Sequence, residues 1–350
     1  MPSVTMDCPP FLPKRDFVGY GWDTPHDCWP NGAKIAVSFV INFEEGGEST
    51  LANGDESSEA HLHEAFHKVP LIGKRDQQLE TMFEYGIRQG LPRILRLFDQ
   101  YGYKFTTHAV ARAIEVSPQY GKLLPKLGHE MACHGNKWRS FFTASPEEEA
   151  AHVAEGIDRL QRLTGDNSVP SGWYLGRGSN QSARIIAREH YKRGLPLLYS
   201  SDTYADDLPV SLHFIGIERF LTAKNFQYWV ESPLASEGIE DEGLLMIPYS
   251  LDCSDHRFLC KGSGWSSSDD FFWHMKEAFD YLYEEGLEGH PKMMTIGLHN
   301  RIIGRPGRFR CLQKFMAYIS QRPDVWVARR DEIARHWREK YPYTGPLNKA

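Results

Sequence analysis

The chain has 350 residues, 41% of them hydrophobic, which is enough apolar material to offset chain entropy and to exclude disorder as its main state. Forty Lys and Arg stand against 46 Asp and Glu, a formal charge of −6 and the wrong sign for a general binder of nucleic acid or anionic membrane. The longest apolar-rich stretch, Ile35–Phe43, falls far short of the ~18 residues that a membrane span needs.

Residues 1–33 read as an extended segment, because Pro9, Pro10, Pro13, Pro25 and Pro30 interrupt any periodicity. The segment carries no apolar core of the kind a secretory signal has, so no export is expected. Six cysteines (Cys8, Cys28, Cys133, Cys253, Cys260 and Cys311) lack a C-x-x-C pair and are expected to be reduced thiols in the cytoplasm.

From Ile35 a rhythm of apolar strand, polar loop and amphipathic helix begins. Ile35–Phe43 reads as the first strand. A helix over Leu91–Gln100 would bury Leu91, Ile94, Leu95 and Phe98 on one face. Strands follow at Lys104–Thr107 and Glu130–Cys133. The next helix opens on Ser145-Pro146-Glu147-Glu148, a capping box with proline in the first turn, buries Val153, Ile157 and Leu160, and stops at Gly165. Strand Gly172–Tyr174, helix Ser182–Arg193 stopped by Gly194, strand Leu197–Tyr199 and strand Leu244–Tyr249 come next. Helix Asp269–Glu285 stopped by Gly286, strand Met293–Leu298, helix Phe309–Ser320 and strand Val325–Ala328 complete the series.

Strands alternating with helices predict parallel β/α units, here an α/β fold of the distorted (β/α) barrel type with about seven strands. One catalytic domain is expected over 34–340, interrupted by an insertion at 210–243 and followed by a loosely held tail at 341–350.

In a β/α barrel the reactive groups gather where strands end. Glu44 and Glu45 follow the first strand, His108 the second and His134 the third. Trp173 and Arg177 come at the fourth, then Asp202, Asp206 and Asp207. Asp252, Asp255 and His256 lie beyond Tyr249, and His299 with Arg301 closes the series. So many acids, histidines and arginines would be costly as buried core, which points to an active-site mouth. A general base needs a raised pKa, and paired carboxylates in a buried place supply one, so Glu44 is expected to titrate high. A solvated acidic turn is the bland reading of the same two residues.

Two other patterns carry less. His63-Glu64-Ala65-Phe66-His67 matches H-E-x-x-H, but the stretch is short, lacks an apolar stripe and ends at Pro70, so it reads as a coincidence. Cys133 and His134 are strand neighbours and point to opposite faces, which argues against a Cys-His nucleophile. Trp29, Trp326 and Trp337 read as packing.

Phe43-Glu44-Glu45-Gly46 resembles the Phe-Asp-Asp-Gly motif of the polysaccharide deacetylases of the NodB-homology fold. His134-Gly135-Asn136-Lys137-Trp138 stands where that family carries a His-x-x-x-His metal pair, and Leu298-His299 resembles its last motif. The departures, Glu44 and Glu45 for two aspartates and Trp138 for the second histidine, are similar to the cofactor-independent allantoinases recruited from that fold. Further matching stretches include Glu84-Tyr85-Gly86, Gly172-Trp173-Tyr174, Gly176-Arg177, Ser201-Asp202 and Gly304-Arg305-Pro306-Gly307-Arg308.

The resemblance implies a hydrolase of non-peptide C–N bonds that opens a small cyclic amide or imide. Glu44 would activate water and His299 would protonate the leaving nitrogen. Glu45, His134, Trp138, Trp173 and Arg177 would hold the substrate, with Asp202, Asp255 and Arg301 in support. Neither metal nor cofactor is expected, since Trp138 removes one ligand from a site that needs three. A homo-oligomer, a tetramer by resemblance, is expected. Two departures reach the pocket itself: Phe141 replaces a histidine, and the 210–243 segment looks extra. A metal-dependent N-deacetylase of chitin-like substrates and a catalytically silent binding protein on the same fold remain the rivals.

Overall fold

The computed structural model describes residues 17, 19–22, 24–65, 69–165, 170–209, 243–260, 262 and 264–342. Most of the 1–33 segment, the 210–242 part of the insertion and all but two residues of the tail thus lie outside the described residues.

In chain order the elements are β1 (Ile35–Phe43), α1 (Gln77–Tyr85), α2 (Leu91–Tyr101), β2 (Thr106–Ala109), α3 (Ala111–Val116), α4 (Pro118–Lys126), β3 (Glu130–Cys133) and α5 (Pro146–Thr164). Then come β4 (Gly172–Trp173), α6 (Ser182–Arg193), β5 (Tyr199–Ser200), α7 (Ser268–Leu287), β6 (Lys292–His299), α8 (Asn300–Ile303), α9 (Pro306–Ile319), β7 (Val325–Val327) and α10 (Arg330–Lys340). The punctuation read from sequence is present. Ser145 and Glu148 form a reciprocal capping box on α5, and Gly194 ends α6 in the left-handed region at φ 62°.

The seven strands among the described residues form one parallel sheet, ordered β5-β4-β3-β2-β1-β6, with β7 also on β1. One edge of β1 is shared, since β7 takes Ile35–Val37 and β2 takes Val40–Phe43, while β6 runs along the other edge. The segment 244–254 spans the gap between the outer strands, with Met246 bridging Ser200 of β5 and Ser254 bridging Gly297 of β6. The sheet therefore curls into the expected distorted barrel.

Strand alternation then sorts the side chains. Ile35, Val37, Phe39, Ile41 and Phe43 of β1 pack outward with Met294, Ile296 and Leu298 of β6 in the layer beneath the helices. Ser38, Val40 and Asn42 face inward. Low in the interior, Arg330 is fully buried; its guanidinium donates to Ser201 Oγ (2.9 Å), Thr295 Oγ1 (3.0 Å) and Pro248 O (2.6 Å). A buried charge survives there because its donors are paired.

Some boundaries moved for identifiable reasons. β2 runs on through His108, which sits inside the strand and not after it. Helix α7 continues through Gly286, where a Cβ would stand 2.0 Å from the carbonyl oxygen of Lys34, so close approach and not termination requires the glycine. Residues 61–65 are not helical, so the H-E-x-x-H geometry is absent there; His67 lies outside the described residues. The five described cysteines are unpaired. Among the described residues no helix is long and apolar enough to cross a membrane.

Candidate active site

Glu44 leaves the C-terminal end of β1 and is 2% exposed. Its carboxylate gathers three cationic or potentially cationic groups from the ends of β3 and β6 and the start of α8. His134 Nε2 lies 3.4 Å and His299 Nε2 3.5 Å from Oε1, and Arg301 Nη1 lies 2.8 Å from Oε2. Both imidazoles are fixed from behind. His134 Nδ1 meets Tyr174 O at 2.6 Å, and His299 Nδ1 meets Asp255 Oδ1 at 2.6 Å. Asp255 is itself pinned, because its other oxygen accepts from the amides of His299 (2.8 Å) and Ile303 (3.0 Å). A carboxylate behind an imidazole sets its tautomer and stabilises its cation.

The electrostatics correct one expectation. Burial raises the pKa of Glu44, but His299, Arg301 and hydrogen bonds from His134 and His299 outweigh it and hold the carboxyl well below the usual carboxylate range. His299 is shifted the other way: burial opposes its charge, yet Glu44 and Asp255 push it up to about 9. The resting site is thus an ion pair of Glu44 carboxylate and His299 imidazolium. The raised pKa belongs to Glu45 instead, through burial and the neighbouring Glu44, partly offset by Arg301 and Asn300.

Glu45 also takes a different place from the expected ligand contact. Its oxygens accept from Asn300 Nδ2 (2.9 Å), the Arg301 amide (3.0 Å) and the Glu44 amide (3.3 Å), and face Arg301 Nη1 at 3.4 Å. These bonds anchor the start of α8. The π-helical turn Gly86–Gly90 packs directly on this anchor. A Cβ on Gly86 would lie 2.6 Å from Glu45 Oε1, and one on Gly90 would lie 2.0 Å from Asn300 O. Arg301, expected only in support, is the guanidinium that touches both glutamates.

Trp173 is displaced as well. It lies on the outward face of β4 in the hydrophobic core, where its indole N–H donates to His190 Nε2 at 2.7 Å. The next residue, Tyr174, faces inward, stacked 5.2 Å from His134 and 4.6 Å from Tyr249. Alternation along the strand was the signal that distinguishes the two residues. Trp138 does border the site, with Arg177 4.5 Å and Arg301 5.3 Å from its ring centre. Arg177 Nη2 has no hydrogen-bond partner among the described residues. Asp202 accepts from the amides of Leu175 (3.0 Å) and Gly176 (2.7 Å), so it holds the loop that carries Arg177. Cys133 packs in the core, as expected of a neighbour pointing away from His134. Sequence reading also missed His61, whose ring lies 5.8 Å from Trp138 and whose pKa is lowered by burial and then by Arg177.

With this geometry the relatives can be placed. Residues 73–192 match the family model described as polysaccharide deacetylase. A protein of Schizosaccharomyces pombe named "Putative polysaccharide deacetylase" is 42% identical over 333 residues, 94% of this chain and 98% of its own. The chain belongs to the polysaccharide deacetylase family. Solved structures of similar shape include Puue allantoinase, at 41% identity and a TM-score of 0.82, covering 94% of this chain and 99% of that one. A "probable Polysaccharide deacetylase" from Pseudomonas aeruginosa PAO1 gives 39% identity and a TM-score of 0.80 over the same shares.

At the position where the resemblance implies a metal pair, the residues of this deacetylase-family chain do not fit a divalent ion. Trp138 offers an indole face in place of a ligand atom, and that face already meets two guanidinium groups. Glu45 is taken up by Arg301 and Asn300, and the Arg301 cation stands where a second positive charge would be repelled. Among the described residues the triad of ligating types within reach of one another is Asp252, Cys253 and His274, beside α7, and it includes none of Glu44, Glu45 or His134.

Proposed function

We propose that this chain is a hydrolase that opens a small cyclic amide or imide, an allantoinase-like reaction, and that it does so without a metal. The observation that carries the proposal is the pair formed by Glu44 and the Asp255-backed His299, with Arg301 supplying the positive charge at the glutamates.

The chemistry follows from how the pair is charged. Water attacks the ring carbonyl as Glu44 takes its proton, and His299 gives its Nε2 proton to the departing nitrogen. The imidazolium is the largest favourable influence holding the Glu44 pKa down. As His299 loses its proton, that influence fades and Glu44 becomes the stronger base, so the two transfers assist each other. Arg177, backed by Trp138, would meet a carbonyl oxygen of the ring. His134, fixed through Nδ1, would steer the water toward Glu44. The 41% identity to Puue allantoinase supports the same substrate class. The chain is proposed to work in the cytoplasm as a homo-oligomer.

The test is a ring-opening screen of allantoin, hydantoin, succinimide and dihydrouracil, with and without chelator. Chelator-insensitive opening of at least one ring is expected. Because the S. pombe relative carries a deacetylase name, the second reading is a metal-dependent N-deacetylase. Chelator-sensitive release of acetate from N-acetylglucosamine oligomers, with no ring opening, would replace the first reading by the second.

A further inference from the structure

One inward-facing row of the sheet has unmet hydrogen-bonding capacity. Ala132, His108, Asn42 and His299 are successive register partners across β3, β2, β1 and β6, so their side chains point the same way at one level of the barrel. His108 is fully buried, and neither of its ring nitrogens has a hydrogen-bond partner among the described residues. Asn42, 1% exposed, donates through Nδ2 to Leu298 O (3.3 Å) and Tyr249 Oη (3.0 Å). A carbonyl accepts only, so the amide nitrogen must face Leu298, and Asn42 Oδ1 is left without a partner among the described residues.

Buried polar atoms without partners are rare because they are costly, and they call for a ligand or a functional explanation. His108 lies within the aromatic wall of the site, stacked 4.9 Å from Tyr174 and tilted against His134 at 6.1 Å. Burial, with Arg330 and His134 nearby, keeps its pKa well below the ordinary histidine value. A neutral imidazole offers one N–H donor and one acceptor. Side by side, His108 and Asn42 therefore present a donor next to an acceptor, directly beside the row position of His299.

That pair matches one kind of amide. In a ring the amide is held cis, so its N–H and C=O lie along the same edge. An open-chain secondary amide, such as the N-acetyl group of a sugar, is trans and turns the two groups in opposite directions. Resting on the ring-opening function proposed above, we infer that His108 and Asn42 are specificity-determining residues that read a cis-amide edge of the substrate ring. His108 N–H donates to a ring carbonyl, and Asn42 Oδ1 accepts the adjacent ring N–H that is not cleaved.

The test measures hydantoin and 1-methylhydantoin binding by calorimetry to the full-length Glu44→Gln chain, in which turnover is expected to be slowed at least a hundredfold. His108→Phe is added to this background because it keeps the stack and deletes both nitrogens, and His108→Gln because it restores a donor and an acceptor. Hydantoin binding is expected to weaken at least tenfold in His108→Phe and to recover in part in His108→Gln. Binding of 1-methylhydantoin, already weak, is expected to be unchanged by either substitution. A purely structural His108 would leave hydantoin affinity unaltered in His108→Phe while raising Tm, and that result would overturn the inference. If the unmodified chain opens no ring, yet hydantoin binds and weakens as stated, the edge reading stands and the proposed reaction fails. Absence of hydantoin binding overturns both.

Discussion

His299 holds Asp255 through Nδ1 at 2.6 Å, in the interior of the barrel, and so turns its Nε2 toward Glu44. Asp255 also accepts from the amides of His299 and Ile303, which flank and end α8, so the orientation of the imidazole and the course of the chain after β6 are set by one carboxylate. The charge state of the site depends on this arrangement.

Glu44→Gln is expected to lower kcat/KM for the ring substrate by roughly 10²- to 10⁴-fold, the range of a lost general base. The amide still fits between His134 and His299, so the circular dichroism spectrum is expected to stay native. Full turnover by this variant would remove Glu44 from the base role.

Asp255→Asn removes one of the charges that raise the His299 pKa. The basic limb of the kcat/KM profile, expected near pH 9 in the unmodified chain, is predicted to move down by about 1 to 3 pH units. An unmoved limb would show that His299 is not the acid being read.

Stability should follow the same pair. His299 has a raised folded pKa, so its contribution is fully present below the ordinary histidine value near 6.5 and is lost as pH rises through about 9. The depressed pKa of Glu44 acts in the opposite sense, and its contribution is lost only as pH falls through a value well below 4.5. Urea melts at pH 6, 8 and 10 are expected to show midpoints falling across the alkaline range, and falling less in His299→Gln.

Trp138→His supplies the histidine that the resemblance implies for a metal pair with His134. Alone it is expected to give no tight Co²⁺ site, since Arg301 still occupies Glu45. Paired with Arg301→Met it is expected to bind Co²⁺, seen as visible absorption and in calorimetry. Tight binding by the single variant would contradict the argument that the guanidinium excludes the ion.

Trp173→Phe tests the reassignment of that residue to the core. Loss of the indole bond to His190 should cost about 1 kcal/mol of stability, with the ring volume that also disappears adding to it. KM is expected to change less than about twofold, whereas Tyr174→Ala, which removes the wall beside His134, should raise KM clearly. A large KM effect from Trp173→Phe would restore it to the site.

How much was legible beforehand depended on range. The β/α rhythm, the capping box of α5 and the glycine stop of α6 are set by residues a few positions apart, and local periodicity displays them directly. The positions of Glu44, His134 and His299 at strand exits followed from the same rhythm, and the resemblance to the deacetylase motifs rested on short contiguous runs. Trp173 and Tyr174 show where this reading reached its limit. Being adjacent, they differ only in the side to which they point: Trp173, the last residue of β4, faces the core, and Tyr174, just after it, faces the barrel interior.

The tertiary structure decided what each charged group meets. Glu45 and the Arg301 amide are 256 residues apart in the chain and become partners only when β1 and β6 lie side by side. That contact makes Glu45 an anchor and places a guanidinium beside the carboxylate of Glu44, where it joins the stronger influence of His299 in depressing a pKa that the paired glutamates alone would raise. Residue types and their spacing were enough to locate the acids, bases and cations at one end of a barrel. Their protonation depends on distances across that barrel, and Coulomb interactions between residues so far apart in sequence exist only after folding.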